Sequence, residues 1–214
     1  MKIFILKENN ISSVAFAVAN ELADNRIMIY PTETIHGLGS AYNNTKGIYK
    51  IDEIKNRKQG KPHIVLIKYE WIADYINDPD RYLPLLQIFW PGPFTFILPS
   101  KKISPFSTGH HVAFRVSAHP FIELLLNFLK QPITSTSANI NGQEPLNGFI
   151  ELTSAFSSKV DLIVHDPKFE NTTPSALIDA TDFPEKITIL REGSSNLDKI
   201  KNIFPDLTVS KREL

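Results

Sequence analysis

The residues best suited to chemistry lie in two clusters joined by a scatter of arginines. The first cluster is Tyr30–Leu66, YPTETIHGLGSAYNNTKGIYKIDEIKNRKQGKPHIVL. In it a hydroxyl-bearing turn, Pro31-Thr32-Glu33-Thr34, directly follows the apolar run Ile27–Tyr30. A turn so placed sits at the carboxyl end of a strand, where open α/β sheets hold their ligands. Farther on, Lys55, Arg57, Lys58 and Lys61 crowd together ahead of Pro62 and a second apolar strand, Ile64–Ile67. Hydroxyls and cations beside strands suit a polyanion with polar attachments, lysine acting as a point charge and arginine as a planar fork.

Whether those cations converge depends on the helix that delivers them. Thr45 to Lys55 places Ile48, Ile51 and Ile54 on one face, with Asn44 or Thr45 as its cap. Lys55 and Arg57 are two apart, which on a regular helix sends them to opposite sides. They meet only if the helix ends between them. Their plainer role is that of exposed loop cations complementing the helix C-terminus, of small weight in stability.

The second cluster is Thr134-Ser135-Thr136-Ser137-Ala138-Asn139, fed by a short strand Ile133–Ser135, with Pro132 before it and Gly142 after. Alone, it reads as a turn whose side chains satisfy their own backbone.

The elements that must position these clusters alternate along the chain. Strands are expected at Lys2–Leu6, Ile27–Tyr30, Ile64–Ile67, Phe94–Leu98, Val112–Val116, Ile133–Ser135, Leu162–His165, Ser175–Asp179 and Ile187–Leu190. Helices are expected from Ser12 or Ser13 to Asn25, over Thr45–Lys55 and Trp71–Ile76, and from Asp78-Pro79 to Trp90 with Leu83, Leu86 and Phe89 inward. Others are expected at Pro120–Leu129, Phe149–Phe156 and Asn196–Phe204, and a polar loop at Ser107-Thr108-Gly109-His110-His111. Interleaving of this kind defines an α/β fold with a mixed sheet.

At 214 residues, 42% hydrophobic and 21% charged, the chain is expected to form a single domain over residues 1–214. A formal net charge of zero argues against a protein that coats nucleic acid, though not against a local basic cleft. With no cysteine, disulfides, Cys-zinc sites and thiol catalysis are excluded. The run MKIFILKENN is too short for a secretory signal and no later stretch approaches a membrane span, so a cytoplasmic protein with no membrane partner is expected. The six histidines show no metal-ligand spacing, and no P-loop is present; the lone G-x-G at Gly37–Gly39 is weak as a dinucleotide signal.

PTETIHGLG followed by K-x-R-x-x-x-K-P resembles the YrdC/TsaC family, the threonylcarbamoyl-AMP synthases. Ser137 and Asn139 match the family's S-x-N, about eighty residues beyond Lys55 and in the family's order. Trp90-Pro91-Gly92-Pro93 looks like its W-P-G-P, read as a structural turn. Val112–Val116 with His119-Pro120, Pro174–Asp179, and Ile189-Leu190-Arg191-Glu192-Gly193 extend the likeness to nearly the whole chain. Departures are His36 where tyrosine is usual, His63 where leucine is usual, Asn141 for serine and Glu192 for proline. Glu192 threatens to weaken an anion contact by Arg191, and the extra carboxy-terminal domain of longer members is absent from this sequence.

The resemblance implies a YrdC-like domain with a twisted, mixed open sheet flanked by helices and a concave active-site cleft. It implies that L-threonine, bicarbonate and ATP, with Mg²⁺, give threonylcarbamoyl-AMP and pyrophosphate, the product serving a tRNA threonylcarbamoyl-transfer complex. Lys55 and Arg57 are the implied catalytic residues. Lys55, Arg57, Ser137, Asn139 and Arg191 are implied to surround ATP, and Thr32, Arg57, Arg115 and Ser175 to hold threonine; no residue is assigned to a metal. Two other readings remain: an RNA-binding module, with weak contact to double-stranded RNA, and a relative of hydrogenase-maturation carbamoyltransferases. The latter are longer and carry cysteine-rich zinc modules, so this chain is not the full enzyme.

Overall fold

The computed structural model describes residues 1–58, 62–102, 109–140, 142–146, 148–169, 173–193 and 198–211. Lys61, Ser107, Thr108, Asn141 and the Asn196 start of the last expected helix lie outside the described residues.

Eleven strands form one mixed sheet: β1 (Lys2–Ile5), β2 (Ile27–Tyr30), β3 (Gly37–Ala41), β4 (Ile64–Leu66), β5 (Phe94–Pro99), β6 (His111–Arg115), β7 (Ile133–Ser137), β8 (Leu162–His165), β9 (Ala176–Asp179), β10 (Lys186–Arg191) and β11 (Thr208–Lys211). Their spatial order is β1-β8-β2-β3-β7-β4-β6-β5-β9-β10-β11. The helices are α1 (Ile11–Ala23), α2 (Thr45–Ile54), α3 (Ile72–Tyr75), α4 (Pro79–Phe89), α5 (Pro120–Leu129), α6 (Phe149–Phe156) and α7 (Asp198–Ile203).

Strand alternation decides what each face does. On β2, Met28 and Tyr30 pack with Val14, Val18 and Leu22 of α1 and Phe121 and Leu125 of α5, whereas Ile27 and Ile29 pack with Ile51 of α2 and Leu152 and Phe156 of α6. Helices therefore cover both faces at this end. Toward the other end Phe94, Phe96 and Leu98 of β5 join Phe114, Ile178 and the α4 residues Tyr82, Leu85, Leu86 and Phe89 in a third core cluster. The opposite face there carries Ser135, Ile64, Arg115, Thr95, Leu177 and Arg191, which the registers place on one side. That side is left open, as the cleft.

Strands β3 and β7 stand between β2 and β4. No strand was expected at Gly37–Ala41, which is the fully buried strand β3. Its glycines carry no strand signal, but a Cβ at Gly37 would meet the Tyr30 ring at 2.6 Å and one at Gly39 would meet the Thr134 carbonyl at 2.0 Å. Close strand approach, not propensity, selects glycine here. In α4, Leu83 is only half-buried, and Tyr82 and Leu85 take the inward positions with Leu86 and Phe89. The edge strand β11 was not anticipated.

Candidate functional site

Helix α2 is capped by Asn44, whose side chain accepts from the Gly47 N–H at 2.8 Å. It ends at Ile54, and Asn56 turns left-handed at φ +51°. The helix thus stops between the two cations, as their convergence requires. Lys55 is buried, at 3% exposure, rather than an exposed loop cation. Its ammonium donates to the Ser137 carbonyl at 2.5 Å, the Asn139 carbonyl at 2.8 Å and Asn139 Oδ1 at 2.5 Å. Burial, and then the like charge of Arg57, lower its pKa to about 8, against the pull of Asp52. Ser137 and Asn139 do not simply satisfy their own turn: the Ser137 hydroxyl donates to Asn139 Oδ1 at 2.6 Å, and the Asn139 amide donates to the Gln143 carbonyl.

Arg57 goes elsewhere. Its Nε donates to Asp52 Oδ1 at 2.5 Å and its Nη2 meets His63 Nε2, with the side chain 8% exposed. Lys55, Ser137 and Asn139 are brought together, while the Arg57 guanidinium turns back toward α2.

Beside Ser137 lies a cleft of about 210 Å³, open to solvent; Lys55, Arg57 and Asn139 are not among the residues lining it. Thr32, Gly37, Ser137, Arg115, Ser175 and Arg191 are among the residues lining it. The Thr32 hydroxyl donates to the Ile35 carbonyl at 2.7 Å and receives the Thr34 N–H at 3.1 Å, closing the turn upon itself. Arg115 is held on three sides, by the Gly92 carbonyl at 3.2 Å, Thr34 Oγ1 at 3.0 Å and Glu33 Oε1 at 2.9 Å. The W-P-G-P turn therefore does more than turn, since its Gly92 carbonyl orients an arginine. Arg191 donates to the Ser175 carbonyl at 2.9 Å, and the Ser175 hydroxyl lies 2.9 Å from that of Thr95. Gly193, at φ +65°, closes against Ser175 and Ala176, where a Cβ would meet the Ala176 nitrogen at 2.3 Å. Arg191 is thus placed beside the residues expected for threonine rather than beside Lys55. Glu192, a feared competitor, is turned outward to Lys211.

Glu33 was not singled out in the sequence, yet it organises this end. It accepts from Ser117 Oγ at 2.5 Å and from the Ala118 N–H at 3.0 Å besides pairing with Arg115. Burial raises its pKa, but the Arg115 charge and these hydrogen bonds outweigh that and lower it. The available signal was an acid between two threonines of one turn. Asp52 was missed too, although a charge adjoining Ile51 and four residues from Ile48 interrupts the apolar face of α2. Among the described residues no group of three or more His, Asp or Glu is placed to hold a metal, and no helix is long and apolar enough to cross a membrane.

The open mixed sheet carries a cleft lined by hydroxyls and by Arg115 and Arg191, with the Lys55 ammonium buried behind Ser137. Residues 20–193 match the Sua5/YciO/YrdC family model, described as telomere recombination, and the chain belongs to that family. P. abyssi Sua5, solved with L-threonine, is 26% identical with a TM-score of 0.88, over 98% of this chain and 62% of that one. The chain thus spans about three fifths of that relative. E. coli YciO is 22% identical, TM-score 0.82, over 92% of this chain and 98% of its own, and T. kodakarensis HypF is 14% identical, TM-score 0.67, over 83% and 24%. These last two share the fold.

Proposed function

We propose that the protein is an L-threonylcarbamoyladenylate synthase. The observation that carries this reading is the cleft itself. It gathers Thr32, Arg115, Ser175 and Arg191, and behind its Ser137 a buried ammonium is seated on Ser137 and Asn139, in a chain similar to a Sua5 solved with L-threonine.

In this reading the threonine amine and bicarbonate condense to a carbamate with loss of water. A carbamate oxygen then attacks the α-phosphorus of ATP and pyrophosphate departs. ATP would enter as its magnesium complex, whose ion would add to the neutralisation of phosphate charge. Positioning and charge stabilisation supply most of the rate. Lys55 neutralises developing phosphate charge with Arg57, while Ser137 and Asn139 frame the nucleotide. Thr32, Ser175 and Arg115 hold threonine, and Arg191, bonded to Ser175, stands where amino acid and nucleotide meet. The adenylate would pass to a tRNA-modifying complex in the cytoplasm; a salt titration of RNA binding tests for direct contact with RNA.

Pure protein is incubated with magnesium and ATP, with threonine and bicarbonate added singly and then together. Pyrophosphate is expected only with both, because the nucleophile does not exist until they combine. Pyrophosphate with threonine in carbon-dioxide-free buffer would overturn the carbamate step, and ADP as product would overturn the assignment.

A further inference from the structure

Asp52, Arg57 and His63 form a buried polar group behind the cleft wall that the reading above leaves unexplained. Asp52 is wholly buried on the inner face of α2 and His63 is 1% exposed. Arg57 Nε donates to Asp52 Oδ1 at 2.5 Å, Nη2 meets His63 Nε2, and the His63 nitrogen itself lies 3.0 Å from Asp52 Oδ1. His63 sits between Pro62 and Ile64, both of which line the cleft. An acid, a guanidinium and an imidazole removed from water are costly unless mutually paired, and hydrophobic replacements are often as stable. Fold stability alone is a weak reason for them.

The geometry gives a better one. With Nε on a carboxylate and Nη2 on an imidazole, the guanidinium plane is fixed at two corners, leaving Nη1 without a partner among the described residues. Arg57 also lies close enough to Lys55 to depress its ammonium, while Asp52 acts in the opposite direction. The carboxylate therefore lets two like charges share one region of low dielectric.

We propose that Asp52 and His63 are positioning residues that fix the guanidinium of Arg57, two residues beyond Lys55, so that its unpartnered corner and the Lys55 ammonium address one polyphosphate. This deepens the function proposed above and rests on it. His63 stands where leucine is usual in the resemblance, so the device belongs to this chain rather than to the shared pattern.

Pyrophosphate release is measured against ATP concentration, with threonine and bicarbonate saturating, for wild type, Asp52→Asn, His63→Leu, His63→Gln, Arg57→Leu and the Arg57→Leu/His63→Leu double variant. His63→Leu is expected to raise KM for ATP by about 10- to 100-fold, the scale of a group misplaced by about 1 Å. His63→Gln, which keeps an acceptor oxygen, should restore most of the loss. In the Arg57→Leu background, His63→Leu should add nothing. Asp52→Asn should resemble His63→Leu; if it does not fold, the histidine series decides alone. Wild-type KM in His63→Leu, or equal additional losses in the Arg57→Leu background, would overturn the proposal. If wild type releases no pyrophosphate, the functional reading fails, and calorimetric binding of magnesium ATP judges the positioning. Weakening by His63→Leu with rescue by His63→Gln supports it; unchanged binding, or none in wild type, overturns it.

Discussion

The buried group behind Ser137 and the far end of the cleft are both cationic, but they manage charge differently. At the α2 end, Lys55 is surrounded by neutral oxygens, two carbonyls and an amide, and its counter-charge, Asp52, bonds to Arg57 instead. At the far end Arg115 pairs directly with Glu33, while Arg191 bonds only to Ser175 among the described residues. A direct ion pair fixes an arginine in place, as Glu33 does Arg115 and Asp52 does Arg57. A cation on neutral acceptors keeps its charge unpaired. By that contrast Lys55 and Arg191 hold their charge free of a carboxylate, while Glu33 sets Arg115 in the wall of the cleft.

The contrast breaks most readily at Lys55. Lys55→Met should lower kcat/KM for pyrophosphate release by about 10²–10³-fold, the usual loss when one charge-stabilising donor is removed. Because the ammonium is buried, some stability should go with it, on the order of 1–3 kcal/mol for stranded carbonyls, read by urea titration. A variant with normal turnover would make Lys55 part of the scaffold.

Glu33→Gln tests the wall. Expected are a stability loss of about 2 kcal/mol, as for a hydrogen bond to a charged group, and a smaller effect on turnover than Lys55→Met. The pH dependence carries a sign. The folded carboxylate has its pKa lowered, so its stabilisation is present above the unfolded value near 4.5 and lost as pH falls through the folded one. Acid unfolding of Glu33→Gln, followed by circular dichroism, should lack that component.

Lys55 gives the opposite signature at high pH. Activity should decline as pH rises through about 8, where the folded ammonium loses its proton. In the unfolded chain the same group holds it to about 10.5, so the unfolded state binds more protons between those values and stability contributed by Lys55 rises with pH. An activity limb near 8 with no matching fall in melting temperature separates chemistry from unfolding, and Lys55→Met should remove the rise.

The smallest effect is expected at Glu192. Its carboxylate is exposed and paired outward with Lys211, so Glu192→Ala should change stability by no more than about 0.5 kcal/mol and leave KM for ATP unmoved. A marked gain in ATP affinity would show that it does oppose Arg191.

Much of this was legible in the sequence because it depends on local chemistry. Ile48 and Ile51 mark the buried face of α2, Asn44 marks its start, and the two-residue spacing of Lys55 and Arg57 demands the break that Asn56 makes. What was illegible depends on contacts distant in sequence. Strand β3 has no apolar alternation because Gly37 and Gly39 are chosen by the Tyr30 ring and the Thr134 carbonyl. The position of Arg191 beside Ser175 follows from β9 pairing with β10, and nothing within either segment announces it. Likewise Glu33 looked like one more polar turn residue until Arg115, Ser117 and Ala118 were folded against it.

An ammonium has three protons, and those of Lys55 already point at three protein oxygens. On the function proposed above, a phosphate binding there must exchange with one of them, so a latched ammonium competes with a receptive one. Apparent affinity for nucleotide is then the intrinsic affinity scaled by the receptive fraction. A substitution that weakens the latch without touching the ammonium, such as Asn139→Ala at the Oδ1 acceptor, alters that fraction even where it removes a contact. On that proposal, nucleotide binding is set as much by how Ser137 and Asn139 release Lys55 as by how firmly Lys55 grips.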